Sequence, residues 1–184
     1  MTAARQGWPA ELLHFWFLRL RPRHWFGRND FVDAALRRRF SRELAALGNV
    51  PARHFLRDRE TARAAVLLFD QCPRNLFRDS SKAFAFDLLA RTIARGAIRR
   101  GWDRGLDKHE LQFLYMPLMH SELKGDQLLS RRLYAALGDP FILSFARSHA
   151  EVVLRFGRFP HRNAILGRKS TAAEVRAVAS GHAW

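Results

Sequence analysis

Cysteine is nearly missing from this 184-residue chain: Cys72 stands alone, so no internal disulfide can form. A lone thiol fits a reducing compartment, and a cytoplasmic location is expected. Acidic residues are also few, 17 against 32 lysines and arginines, which leaves a formal charge of +15. No window approaches about 18 uncharged residues. The apolar runs, such as Ala64–Phe69, are core-sized, which excludes a membrane-spanning helix. The N-terminus carries Arg5 but no apolar stretch closed by a small-residue cleavage site, so no signal peptide is expected. Period-two alternation with β-branched residues is nearly absent, which leaves helices as the building material.

What is there is apolar and basic. Hydrophobic residues make up 48% of the chain, with 15 Phe and 5 Trp, too many for disorder. The length suits one compact domain, residues 1–184. The positive excess favours nucleic acid, anionic membranes or acidic small molecules. Yet 28 of the 32 cations are Arg beside 26 Ala, a bias typical of GC-rich coding. The arginines are spread out, with clusters only at Arg37–Arg39, Arg99–Arg100 and Arg131–Arg132, as solvated helix faces would place them. No nucleic-acid motif accompanies them, so nucleic acid is the weaker expectation.

Good helix formers dominate, and the expected class is all-α. Pro9 opens a short aromatic helix through Leu13, Trp16 and Phe17. After Arg21-Pro22-Arg23, Asn29 or Asp30 caps a helix whose inward stripe reads Phe31, Leu36, Phe40, Leu44 and Leu47, stopped by Gly48. A third helix, near 60–71, carries Ala62, Ala65, Val66 and Phe69, and Pro73 is expected to end it. Ser80 or Ser81 precedes a helix to about Arg95, with Phe84, Leu88 and Leu89 inward. Asp107 and Glu110 form a capping pair that opens a helix, and Pro117 breaks or kinks it. Gly138-Asp139-Pro140 reads as a stop followed by a start. The last long helix puts Phe141, Phe145, His149, Val152, Val153 and Phe156 on one face until Gly157. Thr171 and Glu174 frame a final capping box. Short connections imply antiparallel helical hairpins without a detectable sequence period.

Three stretches break local rules, which is where function is sought. Asp70 would lie in the last turn of its helix, against the macrodipole, with Arg74 as the nearest cation to hold it. That pair could equally clamp an interhelical turn. In Tyr115–Glu122, His120 and Glu122 come after Pro117 and could be a general base with its orienting carboxylate. Otherwise they mark a restarting helix. The run Arg158, His161, Arg162 and Asn163 gathers donors suited to a carboxylate or phosphate. The rival is that these arginines staple the loop to helix carbonyls or to Asp70 and Glu122. His149 reads as a core histidine with one hydrogen bond. Ser121 lacks a nucleophile elbow, and Cys72 lacks an activating partner. No metal-ligand spacing appears, so neither a metal nor a cofactor is expected.

The same stretches carry a family resemblance. Phe15-Trp16-Phe17, Trp25-Phe26, Asp70-Gln71 with Pro73-Arg74-Asn75, Tyr115–Glu122, and Gly157–Asn163 with Leu166-Gly167-Arg168 resemble the bacterial family catalogued as domain of unknown function nine-hundred-and-twenty-four, over about 13–174. The resemblance implies an all-helical, degenerate tetratricopeptide-like array and no particular chemistry. Cys72 stands where that family usually has an aromatic, and Leu18 where it commonly has Gly.

Asp70, Arg74, Asn75, Tyr115, His120, Glu122, Arg158, His161, Arg162 and Asn163 are therefore the candidate site. One reading is a pocket in which Arg74, Arg158 and Arg162 hold a small anionic ligand or acidic peptide end, oriented by Asn75, Tyr115 and Asn163. A second is an enzyme with His120 or His161 as base, supported by Glu122 or Asp70. A third is an RNA- or protein-interaction module in which these residues are structural.

Overall fold

The computed structural model describes residues 4–181, and every regular element among them is helical. None of these helices is long and apolar enough to cross a membrane. The chain forms two compact units, one ending at Pro117 and the other beginning at Leu118.

In the larger unit, α1 (Trp8–Leu13) has Pro9 in its first turn and runs directly into a π-helical turn, His14–Arg19. α2 (Pro22–Trp25) is a single turn, and its Trp25 donates from Nε1 to Trp16 O at 2.9 Å. Phe113 of α7 (Lys108–Met119) meets Trp16 and Trp25 edge-on, at 5.3 and 5.1 Å. Trp16, Trp25 and Phe113 are thus core.

α3 (Asp30–Leu47) is capped by Asn29, whose side chain accepts from Val32 N. Its buried face is Val32, Ala35, Leu36, Phe40 and Leu44, whereas Phe31 is 78% exposed. The inward stripe is therefore turned from the one expected at its start. The same face holds Glu43, fully buried, which accepts from Arg5 Nε at 2.7 Å.

The expected stop at Pro73 does not occur. α4 (Arg59–Val66) widens into a π-helical turn, Leu67–Gln71, and α5 (Cys72–Leu76) continues without a gap. A proline inside a helix lacks a donor and collides with the carbonyl four residues back. The wider turn before Pro73 relieves both problems, since π geometry pairs residues five apart. Asp70 consequently sits inside a continuous helical run rather than at its end.

α6 (Asp87–Arg99) buries Ala90, Ile93, Ala94 and Ala97, while Leu88 is exposed and Leu89 half-buried. It runs against α4, whose buried residues are Ala62, Ala64, Ala65 and Val66. Small side chains let two helix backbones approach closely, so the seam selects alanine over leucine. Replacing Ala94, fully buried, by Leu should cost about 1–3 kcal/mol through overpacking. Urea denaturation reads this directly, and an unchanged midpoint would show that the seam has slack.

α7 runs through Pro117 to Met119 and then stops, so the break falls after the proline and not at it. In the smaller unit, α8 (Lys124–Ala136) and α9 (Pro140–Phe156) form an antiparallel hairpin. Gly138 turns with φ +69°, and Asp139 accepts from Phe141 N and Ile142 N. The buried face of α9 is Ile142, Ala146, His149, Ala150 and Val153, with Val152 beside it; Phe141 is 72% exposed and Phe145 lies at the rim. Again alanines occupy the seam and the large aromatics flank it. Gly157 closes α9 at φ +72°, and Thr171 with Glu174 caps α10 (Ala172–Ala179).

Candidate functional site

Asp70 is 1% exposed, and a carboxylate that deep requires partners. Arg74, one turn on, places Nη1 3.4 Å from Asp70 Oδ1 and donates to Asp70 O at 2.7 Å. The same guanidinium forks onto Asp87 at 2.9 and 3.1 Å and lies against the Phe84 ring. Gln71 Nε2 donates to Asp70 Oδ2 at 2.5 Å. Asn75 bridges Gln71 O and the Arg78 guanidinium, both at 2.9 Å, and Arg78 forks onto Asp33. Tyr115 donates to Asp103 at 2.9 Å, and burial together with that bond pushes its hydroxyl pKa up. Burial likewise pushes the Cys72 thiol up, away from a thiolate.

In the smaller unit the pattern repeats. Glu122 accepts from Phe159 N at 2.8 Å and takes a fork from Arg168 at 2.7 and 2.9 Å. Burial works to raise its pKa, but the Arg168 bond and the Phe159 N–H outweigh it and the net shift is downward. Arg158 forks onto Glu174 at 2.6 and 2.9 Å and donates to Lys169 O. That fork, with the Thr171 N–H, holds Glu174 at about 2. Asn163 donates to Ser170 Oγ at 3.0 Å.

The remaining candidates gather around Phe159. The buried Arg162 guanidinium lies 4.5 Å from its ring centroid, and His161 and His149 each place a ring 5.6 Å from it. His120 stands 6.2 Å from His149. His149 Nδ1 bonds to Phe145 O at 2.8 Å, a buried bond of the kind expected of a core histidine. Burial, reinforced by His120, holds His149 down at about 3. Burial and the adjacent Arg162 hold His161 down at about 4. Both imidazoles are neutral near pH 7 and are poor bases there. No cluster of three or more metal-ligating side chains occurs among the described residues.

A different set of residues lines a cleft in the larger unit. This cleft of about 730 Å³ lies between α1 with its π-helical turn, the start of α4 and the start of α7. Leu13, Phe17, Leu18, Trp25 and Leu106 supply its apolar wall; His14, Arg59, Glu60, Arg63, Asp107, His109 and Glu110 supply the polar one. Arg63, Asp107 and Glu110 are already committed. Arg63 pairs with Glu110, and Glu110 closes the capping box with Asp107. Arg59 differs. Its one hydrogen bond among the described residues runs from Nη2 to Arg104 O at 2.8 Å, and no carboxylate lies within ion-pair distance of it. Its Nε is buried without a partner, as is Nδ1 of His109, whose ring meets Trp25 edge-on at 5.0 Å.

The sequence profile of the family described as "Bacterial protein of unknown function (DUF924)" matches residues 12–182. The chain belongs to this family. A solved structure of a protein of unknown function from Agrobacterium tumefaciens, ATU0120, is 36% identical and superposes with a TM-score of 0.88, covering 94% of this chain and 97% of that one. Comparison with curated proteins gives no match.

Within this DUF924 fold, Asp70, Arg74 and Asn75 belong to one network of the larger unit, and Tyr115 to a separate bond with Asp103. His120, His161, Arg162 and the Glu122–Arg168 pair share the smaller unit with the Arg158–Glu174 pair. Arg59 and His109 lie outside every stretch that carried the family resemblance. One signal for them was legible: Arg59 and Arg63, four apart behind the Asp58 cap, share a face of α4 opposite its alanines. No spacing in the sequence links that face to His14 or His109.

Proposed function

We propose that the protein is a helical binding protein of tetratricopeptide-like hairpins that takes up a small anionic ligand, and that Arg59 in the cleft of the larger unit holds the anion. The observation that carries this is that Arg59 makes no ion pair among the described residues, although it lines an opening of ligand size. Arg74 and Arg158, by contrast, already fork onto Asp87 and Glu174, which supports a structural role for them. A guanidinium without a carboxylate partner recognises a carboxylate or phosphate group through its two-pronged geometry. The enzyme reading has less behind it, because His161, one of its two candidate bases, is held neutral and weakly basic.

A thermal-shift titration with inorganic phosphate and with citrate tests this. The melting temperature should rise saturably in the unaltered protein and not in Arg59→Gln. Arg38→Gln, an equal charge loss at an exposed position of α3, should retain the rise. Equal responses from the two variants would assign the effect to diffuse positive charge and end the proposal.

A further inference from the structure

The chemistry of the cleft narrows its ligand, and this step rests on the binding reading above. The apolar wall of the cleft that Arg59 lines is built from two aromatic rings and three leucines. Phe17 and Trp25 stand edge-to-face with centroids 6.3 Å apart, so their faces are not stacked on each other, and the Arg63 guanidinium lies over one face of Phe17 at 5.9 Å from its centroid. His109 adds a third ring, edge-on to Trp25. Phe17 is half-buried and Leu18 strongly exposed, which leaves apolar surface at the mouth of the cleft.

The π-helical turn is the reason that surface is there. His14, Phe17 and Leu18 lie on it, and widening a helix by one residue re-aims the side chains beyond it. Such turns recur at functional sites. The charges around the cleft also count in a definite way. Arg63 is neutralised by Glu110, and Asp107 and Glu110 accept backbone N–H groups at the start of α7. Glu60 also lines the cleft and makes no ion pair among the described residues, and Arg59 is left as the cleft arginine outside any ion pair, sufficient for one anionic group and not for a polyanion.

We propose that the cleft selects a monoanion with a flat aromatic body, such as an aryl carboxylate, its anionic head on Arg59 and its ring against Phe17 and Trp25. An aliphatic acid of equal size meets the same guanidinium but forgoes the ring–ring geometry. That geometry corresponds to about a 2- to 12-fold gain in affinity over area alone. A small inorganic anion uses Arg59 and leaves the wall wet.

The test is calorimetric titration of the full chain with three probes: indole-3-acetate, cyclohexylacetate and inorganic phosphate. Indole-3-acetate should bind about 2- to 12-fold more tightly than cyclohexylacetate. Arg59→Gln should weaken it by about 10-fold or more, as loss of a charged hydrogen-bonding partner does. Phe17→Leu keeps an apolar wall and should bring the two organic acids level. Its melting curve shows whether the variant is folded, and Arg38→Gln, at an exposed position of α3 outside the cleft, should leave the aryl preference intact. Equal affinity for both acids in the unaltered protein, with binding still dependent on Arg59, would overturn the aromatic selectivity and leave the anion site standing. Tighter binding of phosphate than of either acid would also overturn the selectivity. Absence of Arg59-dependent binding by all three would overturn both.

Discussion

Arg74→Met is expected to lower stability by about 3–5 kcal/mol, because it leaves a buried carboxylate without its cation. Asp70 is 1% exposed and the Arg74 side chain 19%, so little water is at hand to replace the lost partner. The same change also strips the fork from Asp87 and the donor from Asp70 O. Asp70 would keep Gln71 Nε2, which a carboxylate shares less strongly than a guanidinium. Arg158→Met should cost much less, since that side chain is 30% exposed and water screens Glu174 more readily. Chemical denaturation of both variants checks the order. A loss below about 1 kcal/mol for Arg74→Met would mean the cluster is no structural staple, and its arginine would again be a candidate for ligand.

Acid should weaken the fold well before its carboxylates protonate. His149 and His161 are held at about 3 and about 4, below the ordinary histidine value of 6.5. Between pH 6.5 and those values the unfolded chain binds protons that the folded chain does not. Stability is therefore complete above pH 6.5 and falls as pH drops, by up to about 1.4 kcal/mol per pH unit for each histidine. Glu122 and Glu174 act in the same direction in a lower window, because their folded pKa values are depressed and their contribution is lost only below the ordinary 4.5. Melting curves at pH 7, 6 and 5 should show a steady decline. NMR titration of the imidazoles supplies the independent check: resonances of both residues should stay in the neutral position at pH 5. A midpoint near 6.5 for either would remove it from this account.

Much of the architecture was open to inspection in the residues. The capping pairs at Asp107 with Glu110, Asp139 with Pro140, and Thr171 with Glu174 need only neighbours in sequence, and each sits where its pattern implies. His149 as a core histidine was legible for the same reason, lying on an apolar helical stripe. The errors share a cause. Phe31, Leu88 and Phe141 are expected inward because they are large and apolar, yet all three are exposed, and at α6 and α9 alanines fill much of the buried face. Eleven alanines among the described residues are buried, so a composition that reads as coding bias is also the material of close helix packing. Side-chain size favours burial in general, but the distance between two helix axes decides which size fits.

The polar motifs show a second boundary. Their residues do stand in unusual places, and the alternative that arginines staple the loop to Glu122 is realised by Arg168. The partners Asp87 for Arg74, Asp103 for Tyr115 and Glu174 for Arg158 lie 12 to 16 residues away, beyond any local rule. The cleft is further still from the sequence, since His14, Arg59 and His109 meet only when three segments come together.

The sequence by itself therefore determined the all-α class, the family, the helix starts and the polar positions that needed explanation. These stem from composition, from capping chemistry within four residues, and from motifs that stay contiguous. Tertiary structure decided which face of each helix is buried, that Pro73 is absorbed by a π-helical turn, and which arginines meet a carboxylate. Each of those depends on the distance between groups far apart in the chain, and only packing sets that distance.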